Sequence, residues 1–397
     1  MSILILFENS THHHTIDNLC NNLSKRGIIV SSFNVIYWRF KKWNGKTLPL
    51  WMILLSYLTV IPRLRGLINA FFRERAMERL AENYSIIDIH FFSPIYDRLI
   101  PVLRRRSKKI KITIWGSDLY RVDSKRREEQ RIIYHMVDII QIETMQIVAD
   151  FLKYFPEFEN KVRLAHFGII QLEIIAKLLI KRDQTFYQRE LKLPKDKIIV
   201  TCGTNGNEAH QHLKILESID KLPAELKEKL FLIIPMTYGG SKAYIARVRE
   251  KAESLGLRYK LTTSYLSLED LCKYRIISDI IITIQVSDAL ASAIQEHIYT
   301  GDILIAGNWL PYGVFDDYGV FYLKTSIESL SDTIASTAEN IDSLIDRCSG
   351  NDEQISQLSA WDNVINGWTD IYNEININSE NETTFYHSTN LQCRAIY

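Results

Sequence analysis

Short apolar runs alternate with amphipathic stretches along most of the chain. Ser2–Phe7 (SILILF) reads as a first strand, and Thr15–Lys25 as a helix closing at Gly27. Ile28–Val35 follows as a second strand. Further apolar runs lie at Ile86–His90, Ile110–Trp115, Asp138–Ile142 and Val162–Ala165, with helical stretches between them. From Lys197 the pattern restarts. Strands are predicted at Ile198–Cys202, Leu230–Ile234, Tyr259–Leu261, Ile280–Ile284, Ile303–Ala306 and Gly319–Tyr322. Helices are predicted at Glu208–Ile219, Ser241–Ser254, Leu268–Tyr274 and Asp288–Thr300. Such alternation predicts an α/β protein with parallel sheets covered by helices on both faces. Because it restarts, it predicts two doubly wound, Rossmann-like domains, residues 1–170 and 171–352, with the change near Gly168–Leu193. Residues 353–375 read as a helix, with Trp361 and Trp368 on one face, that packs back across the boundary. Residues 376–397 read as a polar tail. Ligands of such sheets sit at the carboxyl ends of the strands, so two facing sheets would make a cleft.

A chain of 397 residues can bury two cores. Its 46% apolar and 24% charged residues exclude a disordered chain, a fibrous repeat and a polytopic membrane protein. Net charge is only +1, but it is unevenly spread: residues 1–170 hold 26 Lys and Arg against 16 Asp and Glu, and residues 171–397 hold 22 against 31. A basic half suits an anionic surface. No nucleic-acid motif is visible, so a membrane is the better candidate. Leu48–Pro62 (LPLWMILLSYLTVIP) supports that choice. It is too short to span a bilayer, which needs ~20 residues. Basic and aromatic positions flank it, among them Trp38, Arg39, Lys41, Lys42, Trp43, Lys46, Arg63, Arg65, Phe71 and Phe72. This is the pattern of an element lying on a membrane, although a buried core helix has the same composition. The five scattered cysteines show no paired spacing and point to a reducing compartment without structural zinc. The N-terminus lacks a basic region and a cleavage site, so it reads as a strand.

Neither a GxGxxG nor a GxxxxGK[ST] motif is present, and no D-x-D pair is available to hold a divalent metal on a diphosphate. The informative segment is Ser287–Tyr312 (SDALASAIQEHIYTGDILIAGNWLPY). In the predicted helix, Asp288, Ser292 and Glu296 step by four and form one polar stripe. Asp288 and Glu296 would stand ~12 Å apart along the axis, too far for an acid/base pair on one bond but suited to two ends of an extended ligand. Equally, Ser287 and Asp288 are ordinary helix-start residues. Val200–Leu213 places Gly203 and Gly206 in a strand-to-helix turn, where small residues admit a phosphate or simply make the turn tight. Pro235–Lys242 (PMTYGGSK) is a second such turn, offering Tyr238, Gly239 and Lys242, with Arg249 beyond it. Thr263 and Tyr265 follow the next strand.

The order strand, helix with a carboxylate and a Glu eight residues on, glycine, strand (here Asp288, Glu296, Gly301 and Ile303–Ala306) resembles the nucleotide-sugar glycosyltransferases of the GT-B fold. Their retaining members carry Glu where this chain has Asp288. The run from Ile234 through Ala243–Arg249, and the histidines His12, His13 and His14 after the first strand, resemble the bacterial N-acetylfucosaminyltransferases (4-alpha-L-fucosyltransferase type) that act on a lipid-linked disaccharide. The resemblance implies a GT-B fold, a nucleoside diphosphate sugar as donor, and a lipid-linked or oligosaccharide acceptor. It implies neither cofactor nor metal. Asp288 would hold sugar hydroxyls, Glu296 the ribose, and Ser287, Ser292, Gly203, Gly206, Tyr238, Gly239, Lys242, Arg249, Thr263 and Tyr265 the rest of the donor. Asp118, in WGSDLY, or His13 would serve as base toward the acceptor if the reaction inverts configuration; the carboxylate spacing suggests retention. His166–Gly168 lies where backbone could touch the sugar. The usual basic pair after the first strand of the second domain is missing, since residues 203–212 contain neither Lys nor Arg. The expected location is cytoplasmic, peripheral on the inner face of the membrane. A non-hydrolysing nucleotide-sugar epimerase and a non-catalytic sugar- or nucleotide-binding protein are the alternatives.

Overall fold

In the computed structural model, residues 1–8, 13–35, 42–43, 46–47, 57, 60–81 and 84–392 are described. The chain divides into two units, residues 1–167 with 364–397, and residues 168–363. His12, Trp38, Arg39, Lys41 and the apolar segment 48–62 except residues 57 and 60–62 fall outside the described residues.

The first unit carries the parallel strands β1 (Ser2–Phe7), β2 (Ile29–Asn34), β3 (Ile86–His90), β4 (Lys109–Thr113), β5 (Ile139–Ile142) and β6 (Val162–Leu164). They run in the order β2-β1-β3-β4-β5-β6. Every residue of β3, β4 and β5 is buried, the signature of strands covered on both faces. The strand order reverses between β1 and β3. Helices α1 (His13–Lys25), α2 (Pro62–Ala81) and α3 (Tyr96–Arg104) belong to this unit.

The second unit repeats the plan with β7 (Ile198–Cys202), β8 (Leu230–Pro235), β9 (Arg258–Thr262), β10 (Ile280–Thr283), β11 (Ile303–Gly307) and β12 (Leu323–Thr325). Their order is β9-β8-β7-β10-β11-β12, again all parallel. The reversal lies between β7 and β10. Helices α4 (Lys242–Ser254) and α5 (Ser292–Tyr299) flank the carboxyl edge.

Helix α6 (Trp361–Gln392) begins in the second unit and continues in the first from Val364. A buried polar network fixes it to the first sheet. Asp88 on β3 accepts from Lys111 Nζ (2.7 Å), Thr113 Oγ1 (2.9 Å) and the Tyr372 hydroxyl (2.6 Å), and His90 Nε2 lies 3.1 Å from it. All five side chains are essentially inaccessible. The Lys111 ammonium sits 4.6 Å from the Trp368 ring centre, and the His90 ring stacks on Trp368. Charges removed from water survive only when paired, and here Lys111 and Asp88 neutralise one another.

Four local expectations differ from the structure. The last strand is β12 (Leu323–Thr325) and not Gly319–Tyr322: Gly319 takes φ +72° and Val320 N–H closes back on Phe315, so these residues make a turn. The helix expected over Glu208–Ile219 is a one-turn 3-10 segment, Glu208–His210, then a helix His212–Asp220, broken at Gln211 with φ +56°. Ala360, extended with ψ 135°, splits the C-terminal stretch into Asn351–Ser359 and α6. The tail expected from residue 376 instead continues α6 to Gln392, since no Gly or Pro interrupts it.

Candidate functional site

Nine of the eleven donor residues proposed from sequence, together with Asp288, stand in the loops or at the helix starts that follow β7, β8, β9 and β10; Arg249 and Glu296 lie inside α4 and α5. The loop after β7 needs its glycines. Gly203 has φ +69°, and a Cβ there would lie 2.8 Å from His212 Nε2. Gly206 N–H donates to the Tyr238 carbonyl (2.8 Å), and a Cβ on Gly240 would lie 2.7 Å from the Gly206 oxygen. The two glycine turns after β7 and β8 thus touch backbone to backbone. Their side chains meet as well, Asn205 Nδ2 standing 3.5 Å from the Tyr238 hydroxyl. Gly239, with φ +80°, completes the second turn. Ser241 caps α4 by accepting from Tyr244 N–H (3.1 Å), and Lys242 opens that helix, exposed. A helix start beside a lysine favours an anion. Arg249, exposed two turns further along α4, is ~10 Å from that start and does not join it. Thr263 and the three-quarters exposed Tyr265 lie in the loop after β9.

Asp288 belongs to the loop after β10, beside the reversal of strand order where doubly wound sheets bind ligands. It is not helical, which corrects the single helical stripe expected from its spacing. Leu290, buried at φ +67°, is in a conformation that a helix cannot continue, and α5 starts only at Ser292. The loop is tied from outside: Val286 N–H donates to Ala209 (2.9 Å) and Trp309 Nε1 to Gln285 (2.9 Å). The Asp288 carboxylate accepts from the Tyr312 hydroxyl (2.6 Å) and Ala291 N–H (3.0 Å). Ser287 is half-buried and Ser292 exposed at the helix start.

Glu296 is buried, contrary to a polar stripe open to ligand. It accepts from Arg275 Nε (3.0 Å), and Arg275 donates through Nη1 to His297 Nε2 (2.9 Å). Since guanidinium can only donate, His297 carries its proton on Nδ1, which faces Asp302. Burial, then Arg275, holds His297 far below the usual histidine range, so it is neutral. Arg275 was not anticipated from sequence, where the predicted helix Leu268–Tyr274 stops just before it.

At the carboxyl edge of the first sheet, Asp118 is buried. Its oxygens accept from Phe92 N–H (3.0 Å) and Trp115 N–H (3.0 Å), and burial pushes its carboxyl up to about 6 despite those bonds. Asp118 therefore ties the loops after β3 and β4 together. His13 stands at the start of α1. The His166 carbonyl accepts from Trp368 Nε1 (2.8 Å), and Gly168 is pressed under Trp361, so HFG serves packing. Sequence reading missed Glu8, directly after β1. It is 8% exposed, accepts from Ser93 Oγ (2.6 Å), and burial raises its carboxyl above the usual range. Ser93 follows β3, so this pair bridges the reversal in the first sheet. The available signal was a carboxylate ending the first apolar strand. Among the described residues no cluster of three or more His, Cys, Asp or Glu is arranged to hold a metal ion, and no helix is long and apolar enough to cross a membrane.

Residues 91–271 match the 4-alpha-L-fucosyltransferase family, glycosyl transferase group 56. The match takes in Asp118 and both glycine turns. The whole chain is similar in structure to a glycosyltransferase from Rickettsia africae (13% identity, 94% of this chain and 98% of that one, TM-score 0.67). It is likewise similar to sucrose-phosphate synthase from Thermosynechococcus elongatus (14%, 94% and 99%, TM-score 0.69). The chain has the GT-B fold. It is also similar to Anabaena Alr3699/HepE, solved with UDP and glucose (12%, 94% and 100%, TM-score 0.65). No curated protein matches it.

Proposed function

We propose that the transferase moves a sugar from a nucleoside diphosphate sugar to a lipid-linked glycan, at the cytoplasmic face of an anionic membrane, in bacterial surface polysaccharide synthesis. The observation that carries the donor reading is the pair of clasped glycine turns beside Asp288, at the reversal of the second sheet. The backbone there admits a diphosphate, with the α4 start and Lys242 opposing its charge without a metal. Asp288, held by Tyr312 and Ala291, faces sugar hydroxyls, and Tyr238, Gly239, Thr263, Tyr265, Ser287 and Ser292 surround the rest of the donor. Glu296 acts from beneath, through Arg275. The similarity in fold to the Anabaena protein solved with UDP and glucose supports a nucleotide-sugar donor. The basic first unit supports the acceptor and membrane side.

Glu8 is the base we assign. A carboxyl raised by burial suits proton abstraction from an acceptor hydroxyl, and a protein base is what an inverting transfer requires. Retention, which the Asp288–Glu296 spacing favours, would let the donor phosphate take that proton instead. Melting the protein with UDP, dTDP, GDP, ADP and CMP tests the donor reading. Ligand at 100 times Kd adds ~2.7 kcal/mol. Stabilisation by one nucleotide diphosphate is expected, and by none of them would refute it. The anomeric configuration of the product, with loss of kcat in Glu8→Gln, decides the base.

A further inference from the structure

The glycine loop after β7 offers an anion no permanent cation, since residues 203–212 include neither Lys nor Arg. Lys214, just beyond, is exposed and acts on Glu328. What the loop does have is a buried histidine. His212 is the first residue of the helix His212–Asp220 and is wholly inaccessible. Its Nδ1 lies 3.2 Å from the Tyr244 hydroxyl of α4. Its Nε2 has no hydrogen-bond partner among the described residues, and it presses on the glycine loop: a Cβ on Gly203 would lie 2.8 Å from it. A buried ring nitrogen left unpaired against a loop is a cost that calls for a reason. The titratable groups against the ring are the Tyr244 hydroxyl and His210, whose ring centre is 5.9 Å away. Glu208 and Arg247 act on Tyr244 in opposite senses. No charged side chain sets the proton affinity of His212. Burial lowers it to about 4, and the backbone of Asn205, in the same loop, works the other way.

We propose that a diphosphate on this loop draws a proton onto His212, so that donor binding is coupled to proton uptake and the buried imidazolium supplies a counter-charge the loop otherwise lacks. This rests on the donor reading above. The proton comes from solvent and adds to the ring nitrogen that lacks one; no other bond changes. Both ring nitrogens then donate, Nδ1 to the Tyr244 oxygen and Nε2 toward the loop. An opposite charge within ~4–6 Å raises such a group by ~1–3 pH units, and a diphosphate carries more than one charge, so His212 moves from about 4 into the range ~5–7. The helix start at His212 adds its own attraction for the anion. His212 acts through the loop, as a positioning residue for the donor.

The test is calorimetric titration of the full chain with whichever of UDP, dTDP, GDP or ADP stabilises it most, at pH ~6 in two buffers of different ionisation enthalpy, so that the difference in heat counts the protons taken up. The terminal phosphate of the nucleotide titrates in this range as well, so His212→Gln serves as the reference. The parent should take up ~0.5–1 proton more than His212→Gln and bind ~2–10-fold more tightly, an advantage that shrinks toward pH ~8. Tyr244→Phe keeps the imidazole and removes only the oxygen to which Nδ1 donates, so it gives the same comparison should His212→Gln fold poorly. It should also take up fewer protons than the parent and bind more weakly. Equal uptake in the parent and both variants would overturn the proposal and leave the donor reading standing. Weaker binding in the variants with unchanged uptake would overturn it too, since packing alone then explains His212. No nucleoside diphosphate bound by the parent would overturn the donor reading, and this proposal with it.

Discussion

Replacing Glu296 with alanine should destabilise the second unit strongly, and the reason separates its structural from its donor-binding role. The carboxylate is 1% exposed and its partner Arg275 3% exposed, with Nε and Oε2 3.0 Å apart. Removing the acid leaves a guanidinium buried against a neutral histidine that can accept only one of its bonds. Breaking a buried pair in this way costs about 3–5 kcal/mol. For a unit of this size each kcal/mol moves the midpoint by ~2–4 °C, so Glu296→Ala should melt ~6–20 °C below the parent. The double variant Arg275→Met, Glu296→Leu removes both charges and should recover most of that loss, because well-packed apolar pairs often replace buried ion pairs at no cost. Calorimetry of the parent, two single variants and the double variant closes the cycle. The stabilised double variant then reports on function: if Glu296 and Arg275 shape the donor site, nucleotide stabilisation stays lost although the fold is restored. A single variant melting within ~2 °C of the parent, or a double variant no better than the single, would refute the argument.

Three other outcomes follow from the packing. Gly240→Ala puts a methyl 2.7 Å from the Gly206 carbonyl, so it should cost ~1–3 kcal/mol and weaken nucleotide stabilisation, read in one melt. His212, fully buried, is held down to about 4 by desolvation. Its folded pKa lies below the unfolded value, so its stability is present above pH ~6.5 and lost as the pH falls toward 4. That loss is about 3 kcal/mol, and denaturant titrations of the parent and His212→Gln should converge as the solution is acidified. Tyr372→Phe removes the hydroxyl that donates to buried Asp88 at 2.6 Å. It should cost ~1.5–3 kcal/mol and make the α6 segment easier to cleave in limited proteolysis.

How far the sequence could be read depends on the range of the interaction that decides each element. The strands of both sheets were legible because ILILF, IIDIH and IIVTC are buried on both faces, and such runs declare themselves within five or six residues. The glycine turns were legible for the same reason: a glycine just past an apolar strand is a local statement about φ, and Gly203 and Gly239 do have positive φ. Asp288 was misread as helical because its neighbours Ser287 and Ala289 carry ordinary helix-start signals. What overrides them is distant, namely the Tyr312 hydroxyl, the Ala209 carbonyl and the Gln285–Trp309 bond, which together hold Leu290 in a left-handed conformation. Positive φ at a leucine costs roughly 1–3 kcal/mol and persists only where the surroundings over-determine it. That strain beside the reversal of strand order makes the loop a better candidate for function than the regular stripe it replaces. Buried polar partners were illegible throughout. Nothing near Glu296 announces Arg275, and Tyr372 finds Asp88 across 284 residues. Glu8 shows the same limit from the other side. As a letter it is one carboxylate after a strand; only the fold buries it, and that burial raises its carboxyl although Ser93 and Arg73 beside it pull the other way.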